Sequence, residues 1–217
     1  SPAATFIAYN YNTPVGVDEF EREAKRILAE VEAECGWMYE TLHTDGKTKG
    51  KINYTVWSDV FVCPECASEV IFWESAVNVD EGKVEDEFPC PHCTASLTKR
   101  NMERAWTTSY DSAIKETIRQ AKQVPVLINY TASGKRHEKK PDDFDRALIA
   151  KIENTEIPYW FPTTRMMNGQ ETRRNDPIGI THTHHFYTKR NLFVFSAFFS
   201  KCPSWMEWIV TGAIQRG

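Results

Sequence analysis

Two stretches decide the fold: NYTVWSDVFVCPEC (Asn53–Cys66) and EFPCPHC (Glu87–Cys93). In each, strand-like sequence runs into a C-P-x-C turn, and EVIFWES (Glu69–Ser75) leaves the first turn in the same β-branched, aromatic style. Together they give the pattern C-x₂-C-x₂₃-C-x₂-C. Two residues between cysteines let both sulfurs of a turn converge on one ion. Two such turns held together by strands predict a closed tetrahedral site made of Cys63, Cys66, Cys90 and Cys93. A closed S₄ site has no open position, so its metal, Zn²⁺, is expected to be structural. Iron in a rubredoxin-like redox site shares the ligands and the geometry and remains an alternative. His92 lies inside the second turn, but four thiolates already fill the tetrahedron, so it is expected to face solvent.

The position after each second cysteine is commonly glycine in such turns, and here it is Ala67 and Thr94. A left-handed non-glycine residue costs about 1–2 kcal/mol. Structural zinc contributes roughly 10–16 kcal/mol of apparent binding, which outweighs that cost.

Outward from the cysteines, VNVDEGKVEDEF carries a D-E-G turn at residues 80–82. Upstream, Phe20, Ala24, Ile27, Leu28, Val31 and Cys35 recur at helical spacing, predicting an amphipathic helix over 18–35 with Asp18 and Glu21 as a capping box and Gly36 as its stop. Downstream, VPVLINY and KRHEKK flank a turn at 132–134 and predict a hairpin over 124–140. A helix is expected at about 142–154, capped by Asp142, with Phe144, Leu148 and Ile152 on one face. IPYWFP (157–162) should be extended, and 165–181 irregular. A nearly all-apolar helix is read from His184 to Ser200, with another starting at Pro203 and ending before Gly212.

The chain has 217 residues, 41% hydrophobic and 26% charged, with a net charge of −4. This is an ordinary globular composition, and it requires any DNA contact to be a local basic patch. Candidates are Lys135, Arg136, Lys139, Lys140, Arg173, Arg174, Lys189 and Arg190, with Tyr159, Trp160 and Phe161 between them in sequence. No apolar run reaches the roughly 20 residues of a membrane span. Four cysteines paired as C-x-x-C, with Cys35 and Cys202 alone, fit a reducing cytoplasm rather than a disulfide framework. The opening SPAATFIAYN predicts a piece of a longer protein. THTHH (Thr181–His185) invites a metal or acid/base reading, since His182 and His184 alternate as two ligands on one strand would, but no Asp, Glu or Cys stands at ligand spacing, so His182, His184 and His185 are read as polar residues at a helix start. NDPIG (Asn175–Gly179) reads as a turn.

Taken in order, SPAATFIAYNYNTPV, ECGWMYET, INYTVWSDVFVCPEC, EFPCPHC, LTKR, IRQAKQVPVLINY, IPYWFP and RRNDPIGITHTHHFYTKRNL resemble the bacterial adenine-specific DNA methylases that contain a zinc ribbon. The resemblance implies a Rossmann-like S-adenosylmethionine domain in the longer protein, whose ribose-binding acidic residue precedes an S-P-A-A segment. It also implies double-stranded DNA and the rest of the methyltransferase chain as partners. The fold class expected is then α+β: a Cys₄ zinc ribbon inserted among helices, with terminal segments belonging to the methyltransferase domain. The segments read as an end piece of that domain (1–17), a helix and loop (18–52), the ribbon (53–100), an accessory hairpin and helix (101–183), and helices returning to the domain (184–217). The F-x-G-x-G cofactor loop and the D-P-P-F/Y block are absent from this sequence. The piece is therefore expected to be inactive alone, serving DNA recognition or structural bracing, and no catalytic residue is assigned. A stand-alone zinc-ribbon module that binds nucleic acid or protein is the other reading.

Overall fold

The computed structural model describes residues 2–79, 81–170 and 172–206. In chain order the first elements are helices α1 (Pro2–Asn12) and α2 (Val17–Cys35), followed by a 3₁₀ turn, Gly36–Tyr39. Next come strands β1 (Glu40–Leu42), β2 (Lys49–Val62) and β3 (Glu69–Ile71), the short helix α3 (Phe72–Ala76), and strands β4 (Val77–Asn78), β5 (Lys83–Val84), β6 (Phe88–Pro89), β7 (Ser96–Leu97) and β8 (Glu103–Arg104). Strands β9 (Trp106–Asp111), β10 (Glu116–Ala121), β11 (Gln123–Ala132) and β12 (Lys135–Lys139) precede α4 (Asp143–Glu153), α5 (Thr172–Asn175) and α6 (Lys189–Lys201). The fold is mixed α+β. Every strand pairing among the described residues is antiparallel, so the parallel sheet of a Rossmann-like domain is not among them. The chain divides into two compact units, one of residues 1–39, 148–162 and 187–217, the other of residues 40–147 and 163–186.

The first unit is helical. Its core is Ile27, Val31 and Cys35 of α2, Met38, Leu148 and Ile152 of α4, and Leu192, Phe193 and Ala197 of α6. Leu28, expected in that core, is 59% exposed, because the buried stripe follows i, i+4, i+8 from Ile27 and Leu28 stands one residue off it. Gly16 is the N-cap of α2 and no side chain caps it, so Asp18 is a first-turn acid favoured by the helix dipole rather than the expected cap. Gly36 does not stop the chain in a left-handed turn. It is right-handed (φ −56°), and the helix tightens into 3₁₀. The last helix begins at Lys189, later than expected, because the Thr188 hydroxyl accepts from the Asn191 amide and fixes the start there. After it, Ser204–Met206 forms a single 3₁₀ turn, and the rest of the helix expected from Pro203 lies outside the described residues.

One charged clasp in this unit makes it pH-sensitive. Glu34 accepts from Lys201 Nζ (2.8 Å) and from the Tyr159 hydroxyl (2.5 Å). Lys201, then Tyr159, holds the Glu34 carboxyl below its ordinary value, while Glu34 raises Lys201. A depressed carboxylate stabilises the fold above its unfolded pKa, and that contribution disappears as pH falls through the folded value. Glu34→Gln should cost about 1 kcal/mol at neutral pH for this part-exposed group. In urea titrations the gap to wild type should close as pH drops below about 4; a gap that stays constant to lower pH would rule the clasp out as its source.

The second unit is built on β2, which spans 14 residues. Its first part lies between β1 and β11 in the order β1-β2-β11-β12, and its last three residues pair with β3 and β8. Pro125 has no N–H for the ladder, and the β2–β11 register shifts just after it. Gly50 lets this sheet close: a Cβ there would lie 2.6 Å from the ring of fully buried Tyr130. The hairpin expected over 124–140 is β11–β12, turning through left-handed Ser133 and Gly134. A second hairpin, β9–β10, was not expected from the sequence. Its turn has no glycine, and Lys115 supplies the left-handed residue (φ 59°).

At the start of α4, Asp142 caps as expected: the Asp145 amide donates to Asp142, and the Asp142 amide donates to Asp145. Phe144 lies on the same face as Leu148 and Ile152, as expected, but is 38% exposed where they are buried. It stands at i−4 from Leu148, in the first turn, before the helix reaches its core.

Candidate metal centre

The two knuckles are built alike. In the first, the Cys63 amide donates to Ser68 O and the Ala67 amide to Cys63 O; in the second, the Cys90 amide donates to Ala95 O and the Thr94 amide to Cys90 O. Both turns need a left-handed residue at their fifth position, and Ala67 (φ 55°) and Thr94 (φ 60°) adopt it, where glycine would do so without strain. Strands β2 and β3 hold the first knuckle, β6 and β7 the second. Behind them Phe61, Val70, Ala76, Phe88, Leu97 and Met102 form a small apolar core that also buries Cys63 and Cys90. Phe72 joins it edge-on to Phe61 and Phe88 at 5.7 and 5.8 Å between ring centres.

All six cysteines are free of disulfides. The four knuckle sulfurs lie within 4.8 Å of one another, with Cys63 Sγ to Cys93 Sγ at 3.7 Å and Cys66 Sγ to Cys90 Sγ at 3.9 Å. A tetrahedral ion with metal–sulfur bonds of about 2.3 Å needs sulfur–sulfur edges of about 3.8 Å, so the cluster is already spaced for one. The surroundings favour thiolate at two of the four. Ser68, through its side chain and its amide, brings Cys66 down to about 6. Against the cost of burial, the Cys93 and His92 amides lower Cys90. The Ala95 amide favours the Cys93 thiolate too, but burial and the other three sulfurs push Cys93 up to about 12. Four thiols this close cannot all ionise without a cation among them. His92 is exposed and turns its Nε2 to Glu69 O at 3.2 Å, outside the sulfur cluster. Cys35 is unrelated: burial, then Glu34, pushes it up to about 11, as suits an inert core thiol.

No protein-family model, curated protein or solved structure matches the chain. What the molecule offers is therefore read from its own residues: a Cys₄ cluster able to hold a structural metal, in an inserted antiparallel β unit, in a protein none of whose described helices is long and apolar enough to cross a membrane.

The basic residues expected to contact DNA meet different fates. Lys135 and Arg136 are exposed on β12, and Lys140 is exposed with Glu74 at 3.1 Å. Lys139 is turned inward. Its ammonium donates to Asp142 Oδ2 (2.6 Å), Asp145 Oδ2 (2.8 Å) and Leu42 O (2.8 Å), using all three N–H groups inside the protein, so it has none to offer a phosphate. Lys189 donates to Glu153 O, and Arg190 lies 5.3 Å from the centre of the Tyr39 ring. Arg174 is exposed, and the side chain of Arg173 lies outside the described residues.

The histidines also differ from expectation. Asp111, at the end of β9, accepts from both His184 Nε2 (2.7 Å) and His185 Nε2 (2.9 Å). The acid that sequence spacing could not supply comes from 73 residues away, across the missed hairpin. NDPIG makes the approach. Gly179 has φ +82° and lies so close to β10 that a Cβ would stand 2.1 Å from Arg119 O and 2.8 Å from Gln120 Cα. Arg165 braces the same loop with two bonds to Asp176 and one to Thr181 O. Gly179→Ala is expected to cost on the order of 2–4 kcal/mol, from the left-handed penalty plus overpacking against backbone that cannot move aside. A melting temperature unchanged from wild type would show that the loop does not seat on β10.

Proposed function

We propose that this chain is a zinc-ribbon binding module. Cys63, Cys66, Cys90 and Cys93 hold one structural Zn²⁺, and the sheet that β2 shares with β11 and β12 presents Lys135 and Arg136, with Lys140 just beyond β12, to a nucleic acid or protein partner. The observation that carries the reading is the convergence of four unbridged sulfurs at tetrahedral spacing on two matched knuckles. A closed S₄ set leaves no position for a substrate, so the metal fixes the fold and takes no part in a reaction. Native mass spectrometry with elemental analysis should find one zinc per chain and a colourless protein. Iron with visible thiolate absorption would replace this reading with the rubredoxin-like one.

The ordered run of sequence blocks supports a narrower reading, that the module is an insert of an S-adenosylmethionine-dependent adenine-N6 DNA methyltransferase. There the methyl group would pass from the cofactor sulfonium to N6 of an adenine turned out of the duplex, through residues outside this chain. The module would clamp or recognise DNA, or brace the catalytic domain. Duplex titrations of this chain should weaken as salt rises, with a slope of about −0.9 per phosphate neutralised. Replacing Lys135 and Arg136 with Glu should flatten that slope. No binding at low salt removes the DNA role, and transfer of label from cofactor to cytosine or to protein by the longer enzyme removes the methylase assignment.

A further inference from the structure

Asp111, His184 and His185 form a cluster that neither the ribbon nor its proposed role uses. The three side chains are 9, 7 and 3% exposed, and their ligand atoms all lie within 4.8 Å of one another. The carboxylate is placed with care. Oδ1 accepts the Ala113 amide at 2.9 Å and so shapes the β9–β10 turn, which leaves Oδ2 to face both imidazoles. The 3₁₀ turn Thr183–Phe186 puts two adjacent histidines on one side of the backbone, with ring centres 4.3 Å apart. Holding this loop down would take one imidazole on one carboxylate oxygen; here two Nε2 atoms converge on it.

We propose that Asp111, His184 and His185 form a second metal site, for a single divalent first-row transition ion such as Zn²⁺. Two imidazoles and one carboxylate are a nitrogen-rich, borderline donor set that favours such ions over Mg²⁺ or Ca²⁺. Bonds of about 2.0–2.2 Å place neighbouring ligand atoms of a tetrahedral ion roughly 3.3–3.6 Å apart. The present 2.7 and 2.9 Å separations must open to that by about 0.4–0.9 Å, shared between the carboxylate and the two rings. Binding displaces the two Nε2 protons. Each ring then carries its proton on Nδ1, and His185 Nδ1 can donate to Thr181 Oγ1, 3.4 Å away, in place of the 3.3 Å bond it now accepts from the Thr181 amide. An outer partner of this kind orients a ligating imidazole. His182 stands alongside, its ring 5.1 Å from that of His185 and its Nδ1 2.9 Å from Thr181 Oγ1. Three protein ligands leave a coordination position for water or a small anion, which makes this an open site in contrast to the Cys₄ cluster.

Cobalt(II) titration of the metal-stripped full chain separates the two sites. Filling the Cys₄ cluster gives intense thiolate charge-transfer absorption; filling the second site adds a further equivalent with visible ligand-field bands and no thiolate band. Wild type should take two equivalents. Asp111→Asn, which keeps a hydrogen-bond acceptor, and His185→Gln should each take one, with the second affinity weakened by more than about 100-fold, beyond the loss seen for an outer-sphere partner. Circular dichroism checks that both variants are folded. Saturation of wild type at one thiolate-bound equivalent, or two equivalents in both folded variants, overturns the proposal. A second equivalent without the thiolate signal of the first would leave this site standing and remove the zinc ribbon.

Discussion

Chelating the ion proposed at Cys63, Cys66, Cys90 and Cys93, or replacing Cys63 and Cys90 together with Ser, is expected to unfold the ribbon. The core behind the knuckles is small, and two of its buried members are ligands themselves. Two left-handed non-glycine residues work against it, at about 1–2 kcal/mol each. Apparent zinc binding of roughly 10–16 kcal/mol is as large as the whole stability of an ordinary domain, about 5–15 kcal/mol, so without it the balance reverses. Hydrogen exchange should show the Cys63, Ala67, Cys90 and Thr94 amides, all bonded within the knuckles, losing protection on chelation. The amides of Ile128 to Thr131 in β11 should lose less, because those residues are paired with both β2 and β12. Full protection of the knuckle amides in metal-free protein would end the case for a structural ion.

Removing the ammonium at position 139 should be the most damaging single change away from the cysteines. Asp145 is 1% exposed; Thr41 Oγ1 donates to its Oδ1 at 2.6 Å, and Lys139 is its only ion-pair partner among the described residues. Lys139→Met keeps the stem and deletes the charge, stranding a buried carboxylate at about 3–5 kcal/mol. It also releases the Leu42 carbonyl and the Asp142 carboxylate, which Lys139 holds below its ordinary range against the cost of burial. The double change Lys139→Met with Asp145→Asn should recover much of the loss, since no charge is then left unpaired. Urea unfolding of the two variants reads this directly, and a cost below about 1 kcal/mol for Lys139→Met would mean that water reaches the cluster.

Legibility from sequence followed the range of the interactions. The knuckles were readable because ligand spacing is local, and the left-handed sites were readable as the positions where Ala67 and Thr94 stand in place of glycine. The Asp142 cap and the β11–β12 turn were equally local. Lys139 looked like any surface lysine, since nothing nearby in sequence announces that Asp145 will be buried and will need a cation. The Asp111 cluster was hidden twice. Its acid sits before a turn that uses Lys115 instead of glycine, and the histidines reach it only because Gly179 allows an irregular loop to lie flat on β10. Sequence periodicity carries no trace of such a path.

The length of β2 has a mechanical meaning. Here one continuous strand runs from the paired sheet directly into Cys63; Gly50, its one glycine, is hemmed in by Tyr130 and the Thr131 carbonyl, and the strand's pairing with β11 shifts register after Pro125 and again at Asn53. A displacement of the knuckles is therefore expected to be felt along β2 by the strand paired to it, β11, and through that strand by β12.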